Sequence, residues 1–162
     1  HIEYAKIYID LQQTDKAKAH LIQIVDDILN TEYLLLSAEI ALVENDFIST
    51  QKYVEYGFQE ANNNRDLLAQ LHIILARKLA KQYKYVEAID EYERALTYLE
   101  RGYNIIRIAR IWLNLGTIYI HIEEWKQANQ FLHKAMRIFD ASGDQLALEV
   151  AKRNLKLIRS PQ

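Results

Sequence analysis

The sequence predicts an all-α fold in which helices pair into hairpins and the hairpins pack side by side. Pro occurs once and Gly four times in 162 residues, whereas an all-β fold needs many turns. Apolar residues recur at intervals of three and four, as in Ile105, Ile108, Trp112, Leu115 and Tyr119. A pattern of small and large residues also repeats every 33 to 40 positions, which is the length of a helical hairpin with its turns.

Four helical pairs and one final helix follow from these periodicities. The helices are expected over residues 1–12 and 15–29, 31–44 and 47–62, 66–82 and 85–101, 104–122 and 125–141, and lastly 144–159. The breaks at Asn62-Asn63-Asn64, Gly102-Tyr103-Asn104 and Ser142-Gly143-Asp144 hold residue types that end or begin helices. We therefore expect one domain over residues 1–162, with repeats at 1–30, 31–64, 65–102 and 103–142.

Small residues recur where the two helices of one hairpin are expected to cross, since only a very small side chain fits there. We call these positions the crossing residues. In the second helix of each pair they are Ala17, Thr50, Ala88 and Ala128, which lie 33, 38 and 40 residues apart. In the first helix of each pair they are Ala5, Ala38, Ala76 and Gly116.

The fourth pair carries the fullest version of the pattern. It reads Trp112-x2-Leu115-Gly116-x2-Tyr119, followed by Ala128 and Ala135. This pattern resembles a tetratricopeptide repeat (TPR), a helix–turn–helix unit that stacks on copies of itself. The third pair matches it through Ala76, Ala88 and Ala95, with His72 where the fourth has Trp112, so we expect His72 in the core. The resemblance is strong over residues 66–141, and the Pro that commonly closes a repeat is missing throughout.

The resemblance implies a right-handed superhelical α-solenoid of about four TPR-like hairpins with a C-terminal capping helix. Long repeats with breaks such as Gly102 are similar to those in sensor domains of peptide-responsive bacterial regulators. In such a domain the first helix of each hairpin lines a concave groove. The groove positions of the third and fourth pairs are Gln70, Ile74, Arg77, Lys81, Arg110, Asn114, Thr117 and His121. The second pair adds Glu32, Leu36, Glu39 and Val43, and Lys152 and Lys156 extend the surface from the cap.

These positions predict a groove that is acidic beside the second pair and basic beside the third and fourth. Arg77, Lys81 and Arg110 could pair with a ligand carboxylate, and Asn114 could hydrogen-bond a ligand backbone. Alternatively, all of them are ordinary solvated side chains. Glu39 stands where TPR receptors of chaperone tails need a cation or an amide, which argues against that class.

Charge is divided unevenly between the two halves of the chain. Residues 1–64 hold 4 Lys or Arg and 11 Asp or Glu, a net −7, and residues 65–162 hold 16 and 11, a net +5. This division could steer a charged partner to one end, or could be a property of solvated helix faces. Acids dilute the basic half too much for a duplex-binding surface, so we expect no direct nucleic-acid binding.

The sequence offers nothing for catalysis, for a metal or for a cofactor. Its four Gly do not form a phosphate loop, it contains no Cys, and no two of its five His are three or four residues apart. No apolar run approaches the length that spans a bilayer. We therefore expect a cytoplasmic, non-enzymatic module without cofactors that binds a protein or a peptide.

Two functions remain open for such a module. It could be the peptide-sensing part of a bacterial transcriptional regulator, since the chain begins inside a helical pattern and is expected to be a fragment lacking an effector domain. Alternatively it is a structural scaffold or possible homodimer. In that case the apolar residues Ile2, Tyr4, Ile7 and Tyr8 meet another subunit or upstream repeats.

Overall fold

The computed structural model describes residues 1–22, 31–99 and 103–158, and within these ranges the chain is helical without any strand. The all-α prediction is therefore confirmed. The helices are α1 Ile2–Asp10, α2 Thr14–Ile22, α3 Thr31–Val43, α4 Phe47–Glu60, α5 Arg65–Lys81, α6 Tyr85–Tyr98, α7 Ile105–His121, α8 Trp125–Ser142 and α9 Gln145–Leu155. Of the predicted features, the end of the second helix (residues 23–29), residues 100–101 of the sixth, the Gly102 break and the residues from 159 onward lie outside the described residues.

Consecutive helices pack on each other in pairs, with α1 on α2, α3 on α4, α5 on α6, and α7 on α8. The last helix, α9, packs mainly on α8 and also contacts α7. The first helices of successive pairs are neighbours as well, since α1 contacts α3 and α3 contacts α5. Apart from the end of α2, which adjoins residues outside the described ranges, the predicted helices agree with these bounds to within four residues at each end, the largest difference being at the end of α9.

The same turn joins the two helices of every pair. Gln12, Asn45, Tyr83 and Glu123 each have a left-handed backbone, with φ between 56° and 61°. Each of them donates its N–H to the carbonyl three residues earlier, and the following residue donates to the carbonyl five residues before itself. Gly143 ends α8 in the same way, with φ of 74°. The left-handed residues within the four pairs, from Gln12 to Glu123, each lie five positions before the crossing residue of the second helix. One local geometry therefore repeats at the intervals of the sequence pattern.

The crossing residues lie at the helix contacts. Ala5, Ala17, Ala38, Thr50, Ala76, Ala88, Gly116 and Ala128 are all buried, and so are Ala95 and Ala135. Trp112 and Tyr119 are half-buried, whereas Leu115 is fully enclosed. Small side chains at these points bring the helix axes close, and the large neighbours fill the space between pairs.

Among the described residues, the core contains four apolar clusters placed one after another along the chain. One joins α1, α2 and α3, the next joins α3, α4 and α5, the third joins α5, α6 and α7, and the fourth joins α7, α8 and α9. His72 is buried as expected, with its Nδ1 2.6 Å from Glu91 Oε2 and its ring stacked parallel to that of Tyr98. None of the described helices is both long and apolar enough to cross a bilayer.

Candidate binding groove

A cavity of about 900 Å³ runs across α1, α3, α5 and α7, the first helices of the four pairs. The lining residues come only from these helices and the segments beside them, because the second helices pack behind them. We call this cavity the groove. The lining includes Ile9, Leu36, Val43, Leu67 and Ile74 as apolar members. Its ionisable members are Lys6, Asp10, Glu32, Glu39, Asp66, Arg77, Arg107 and Arg110.

Ion pairs in the groove connect each of these helices to the next. Lys6 Nζ lies 2.8 Å from Glu32 Oε1, which connects α1 to α3, and this hydrogen bond raises the pKa of Lys6. Arg77 donates through Nη1 to both carboxylate oxygens of Glu39, at 2.6 and 2.8 Å, which connects α5 to α3. Arg107 pairs with Asp66 and connects α7 to α5. The Asn154 amide continues the series by donating to Thr117 Oγ1 at 2.9 Å, from α9 to α7. We call this series the polar ladder.

The polar ladder adds internal pairing to the predicted distribution of charge in the groove. The second pair lines the groove with Glu32 and Glu39 and the fourth with Arg107 and Arg110, but three of the four bases lie beside an acid of the neighbouring helix. The fourth base, Arg110, is 67% exposed and stands 3.6 Å from Asp144, a contact that solvent weakens. Of the groove cations, Arg110 is therefore the most available to a ligand.

A second cavity of about 440 Å³ lies where the C-terminal ends of α5 and α7 meet the start of α6. We call it the aromatic pocket, after Tyr83, Tyr85 and Tyr92 in its wall. The remaining lining residues are Arg77, Ala80, Lys81, Asn114, Thr117, Ile118 and His121. Arg77 lines both cavities, so the pocket continues the groove.

The eight predicted groove residues divide between these two cavities. Gln70, Ile74, Arg77 and Arg110 line the groove, and Lys81, Asn114, Thr117 and His121 line the aromatic pocket together with Arg77. Ile74 is 1% exposed, so it forms the floor and offers almost no area to a ligand.

Several of these side chains already have partners within the chain. Gln70 donates to Asp66 at 2.7 Å, and Thr117 donates to the Leu113 carbonyl at 2.9 Å. Lys152, expected to extend the surface from the cap, pairs instead with Glu149 of its own helix at 3.0 Å. The prediction treated these residues as free to bind a ligand, and the structure shows that such a ligand must displace or share their bonds.

Sequence reasoning missed Tyr92, Arg107 and Asp66. Tyr92 occupies the place that Leu132 holds in the next pair, four residues after the crossing residue. A phenol in place of an aliphatic side chain signals a buried hydroxyl that needs a partner, and Asn114 provides it. Asn114, predicted to hydrogen-bond a ligand backbone, is therefore engaged in part by the protein itself.

Tyr92 makes the stability of the fold sensitive to alkaline pH. Burial raises the pKa of its phenol well above the usual value of about 10, and the Arg77 charge and the Asn114 hydrogen bond oppose this rise only in part. Because the pKa is higher in the folded state than in the unfolded state, the neutral phenol stabilises the fold below about pH 10. This contribution is lost as the pH rises further.

We expect Tyr92→Phe to lower the free energy of unfolding by about 1 kcal/mol at pH 8, since Asn114 loses its partner. The difference from the original chain should shrink above about pH 10, because the variant has no phenol to ionise at this position. Urea unfolding at pH 8 and above about pH 10 measures this difference in the free energy of unfolding. Tyr103→Phe is the control, because Tyr103 is 90% exposed. Parallel pH profiles for the original chain and Tyr92→Phe would contradict the assignment.

Neither cavity offers a metal site, since no group of three or more His, Asp or Glu among the described residues is arranged to hold an ion. Comparisons with family models, with curated proteins and with solved structures gave no significant match.

Proposed function

We propose that this chain is a TPR-like module that binds a protein or peptide segment in the groove. In this proposal the four hairpins and α9 form a right-handed superhelical α-solenoid. The module is the ligand-sensing or protein-interaction domain of a bacterial cytoplasmic regulator. The repeated turn, the buried crossing residues and the sequential clusters support the repeat architecture.

The observation that carries the proposal is the groove itself. It is about 900 Å³ in volume and is lined by four helices that are separated in sequence but aligned by the polar ladder. The volume alone would also suit a small molecule, but a cavity that extends across four helices, with an apolar floor and polar walls, suits an extended or helical segment of several residues.

The test is binding of a mixed library of blocked eight-residue peptides, followed by affinity measurements on the peptides that are captured. Arg110→Glu should weaken these affinities about tenfold, because it reverses an exposed charge in the groove. Asn114→Ala should weaken them about fivefold by removing an amide from the pocket.

Arg137→Glu is the matched control, because it makes the same charge change at an exposed position of α8, outside both cavities. It should change the affinities less than twofold. If all three variants bind every captured peptide as tightly as the original chain does, binding takes place elsewhere and the groove assignment is wrong.

One observation favours a second function, that of a structural scaffold. Tyr4 and Ile7 on α1 and Leu11 directly after it are 59%, 51% and 58% exposed and follow one another at helical spacing, which forms an apolar stripe. Of the four residues expected at this end, Ile2 and Tyr8 instead pack against the first cluster. The stripe is therefore smaller than expected. Sedimentation at several concentrations discriminates, since a concentration-independent monomer argues against self-association.

A further inference from the structure

The aromatic pocket differs from the groove in its charge. Among its described lining residues there is no Asp or Glu, whereas four acids line the groove. Glu39 compensates the charge of Arg77, but Lys81 Nζ donates to the Asn45 side-chain oxygen, a neutral group, at 2.8 Å. The Lys81 ammonium group is therefore not paired with an acid among the described residues that line this pocket.

The aromatic wall of the pocket is built on an unfavourable backbone. Tyr83 has φ of 61°, which is uncommon for a bulky residue. The equivalent turns hold Gln12, Asn45 and Glu123, so the turn does not require an aromatic ring. Gly or Asn would suit this backbone better. Residues with such a backbone are more common at binding sites than elsewhere, and the aromatic ring is what distinguishes Tyr83 from the equivalent residues of the other turns.

The Tyr83 ring stands at the edge of the pocket. It is 79% exposed and meets the Tyr85 ring edge-on, with the ring centres 6.3 Å apart. Tyr85 in turn stacks parallel to His121, with ring centres 5.3 Å apart. These three rings line the pocket together with Asn114 and Arg77, and the exposed Tyr83 face remains open to a ligand.

We propose that the aromatic pocket selects an anionic side chain that is flanked by an aromatic or large apolar one. Lys81 receives the anion, a carboxylate or a phosphate ester, and the flanking side chain packs on Tyr83 and Tyr85. This inference rests on the proposed function and identifies the class of segment that the module prefers. The rest of the ligand lies along the groove, where the charges of the polar ladder are already paired.

The experiment uses blocked peptide pools with a Phe-Glu pair at the centre, flanked on both sides by mixed Ala, Ser and Gly, and carrying an uncharged fluorophore. Matched pools replace Glu by Gln, Lys or phosphoserine, or replace Phe by Ala. Fluorescence anisotropy gives the affinity of each pool. We expect the Phe-Glu pool to bind about tenfold tighter than the Phe-Gln pool and about fivefold tighter than the Ala-Glu pool. The phosphoserine pool shows which anion is preferred, and tighter binding of either supports the inference.

Two variants isolate the roles of Lys81 and Tyr83. Lys81→Gln should reduce the preference for Glu over Gln to about one, because the charge is removed while the polar contact with Asn45 can persist. Tyr83→Gly should abolish the preference for Phe over Ala. Glu123→Gly is its matched control, since it also places Gly at a residue with a left-handed backbone, in the turn of the next hairpin. Both Gly variants should raise the melting temperature, but only Tyr83→Gly should alter binding.

The outcomes separate this inference from the proposed function. If the pools bind without preference for an anion, or if Lys81→Gln and Tyr83→Gly keep both preferences, the inference is wrong and peptide binding by the groove stands. If no pool and no library peptide binds the original chain, both are wrong.

Discussion

Phe139→Ala is expected to lower the free energy of unfolding by about 3–5 kcal/mol, the usual loss for a fully buried aromatic side chain. The Phe139 side chain is completely enclosed, and its cluster includes Ala109 of α7, Ala135 of α8 and Leu148 of α9. Removing the ring opens a cavity in the cluster that, among the described residues, joins α9 to the preceding pair. The Ala residues beside it cannot fill the space, because their side chains are single methyl groups.

Urea unfolding followed by circular dichroism measures the loss, and hydrogen exchange of the α9 amides locates it. Phe131→Ala is the control, because Phe131 is half-buried and stacks on Tyr119 at 5.5 Å, so it should lose about half as much. In Phe139→Ala, α9 should exchange before the other helices. Equal losses in the two variants, with uniform exchange, would show that the fourth cluster does not hold α9 in this way.

Gly116→Ala is expected to lower the free energy of unfolding by about 2 kcal/mol. A methyl group at this position would lie 2.7 Å from Leu132 Cγ, 2.8 Å from its Cδ2 and 3.3 Å from its backbone nitrogen. Rotation of the leucine side chain cannot relieve the contact with the backbone, so α7 and α8 must move apart. This expected loss already includes the opposing gain in helix propensity from replacing Gly with Ala, which is about 1 kcal/mol.

Gly57→Ala provides the comparison, because it makes the same replacement at another buried helical glycine. There the close atoms all belong to the Leu71 side chain, with the nearest, Cδ2, at 2.6 Å. The three nearest atoms include no backbone atom, so the steric cost is smaller than at Gly116 and the propensity gain offsets most of it. We expect a change within about 1 kcal/mol. If Gly116→Ala proves as stable as the original chain, the close crossing of α7 and α8 is not required.

The helices and their pairing could be predicted from the sequence because the signals are local. Apolar periodicity placed each helix, and the crossing residues Ala17, Thr50, Ala88 and Ala128 marked where each second helix meets its partner. The groove lining could be predicted from the resemblance, because an equivalent position in each first helix faces the same side. The residues named for the site accordingly line the two cavities.

The electrostatics of the site could not be predicted in the same way. Arg77 and Glu39 are 38 residues apart, and Arg107 and Asp66 are 41 apart. Whether such side chains meet depends on the rotation between neighbouring hairpins, which no local pattern specifies. The partner of the Tyr92 hydroxyl also could not be identified from the sequence, although a phenol at the position equivalent to Leu132 indicates that one is needed.

The division of the described interior into four successive packing units affects how this chain would respond to a bound ligand. Each unit shares helices only with the units before and after it, so either end can open while the middle stays closed. A segment lying over α1, α3, α5 and α7 would contact helices of all four units at once. Binding would therefore turn a graded, end-first melting into a sharper single transition, and this sharpening would reveal a bound ligand before its chemistry is known.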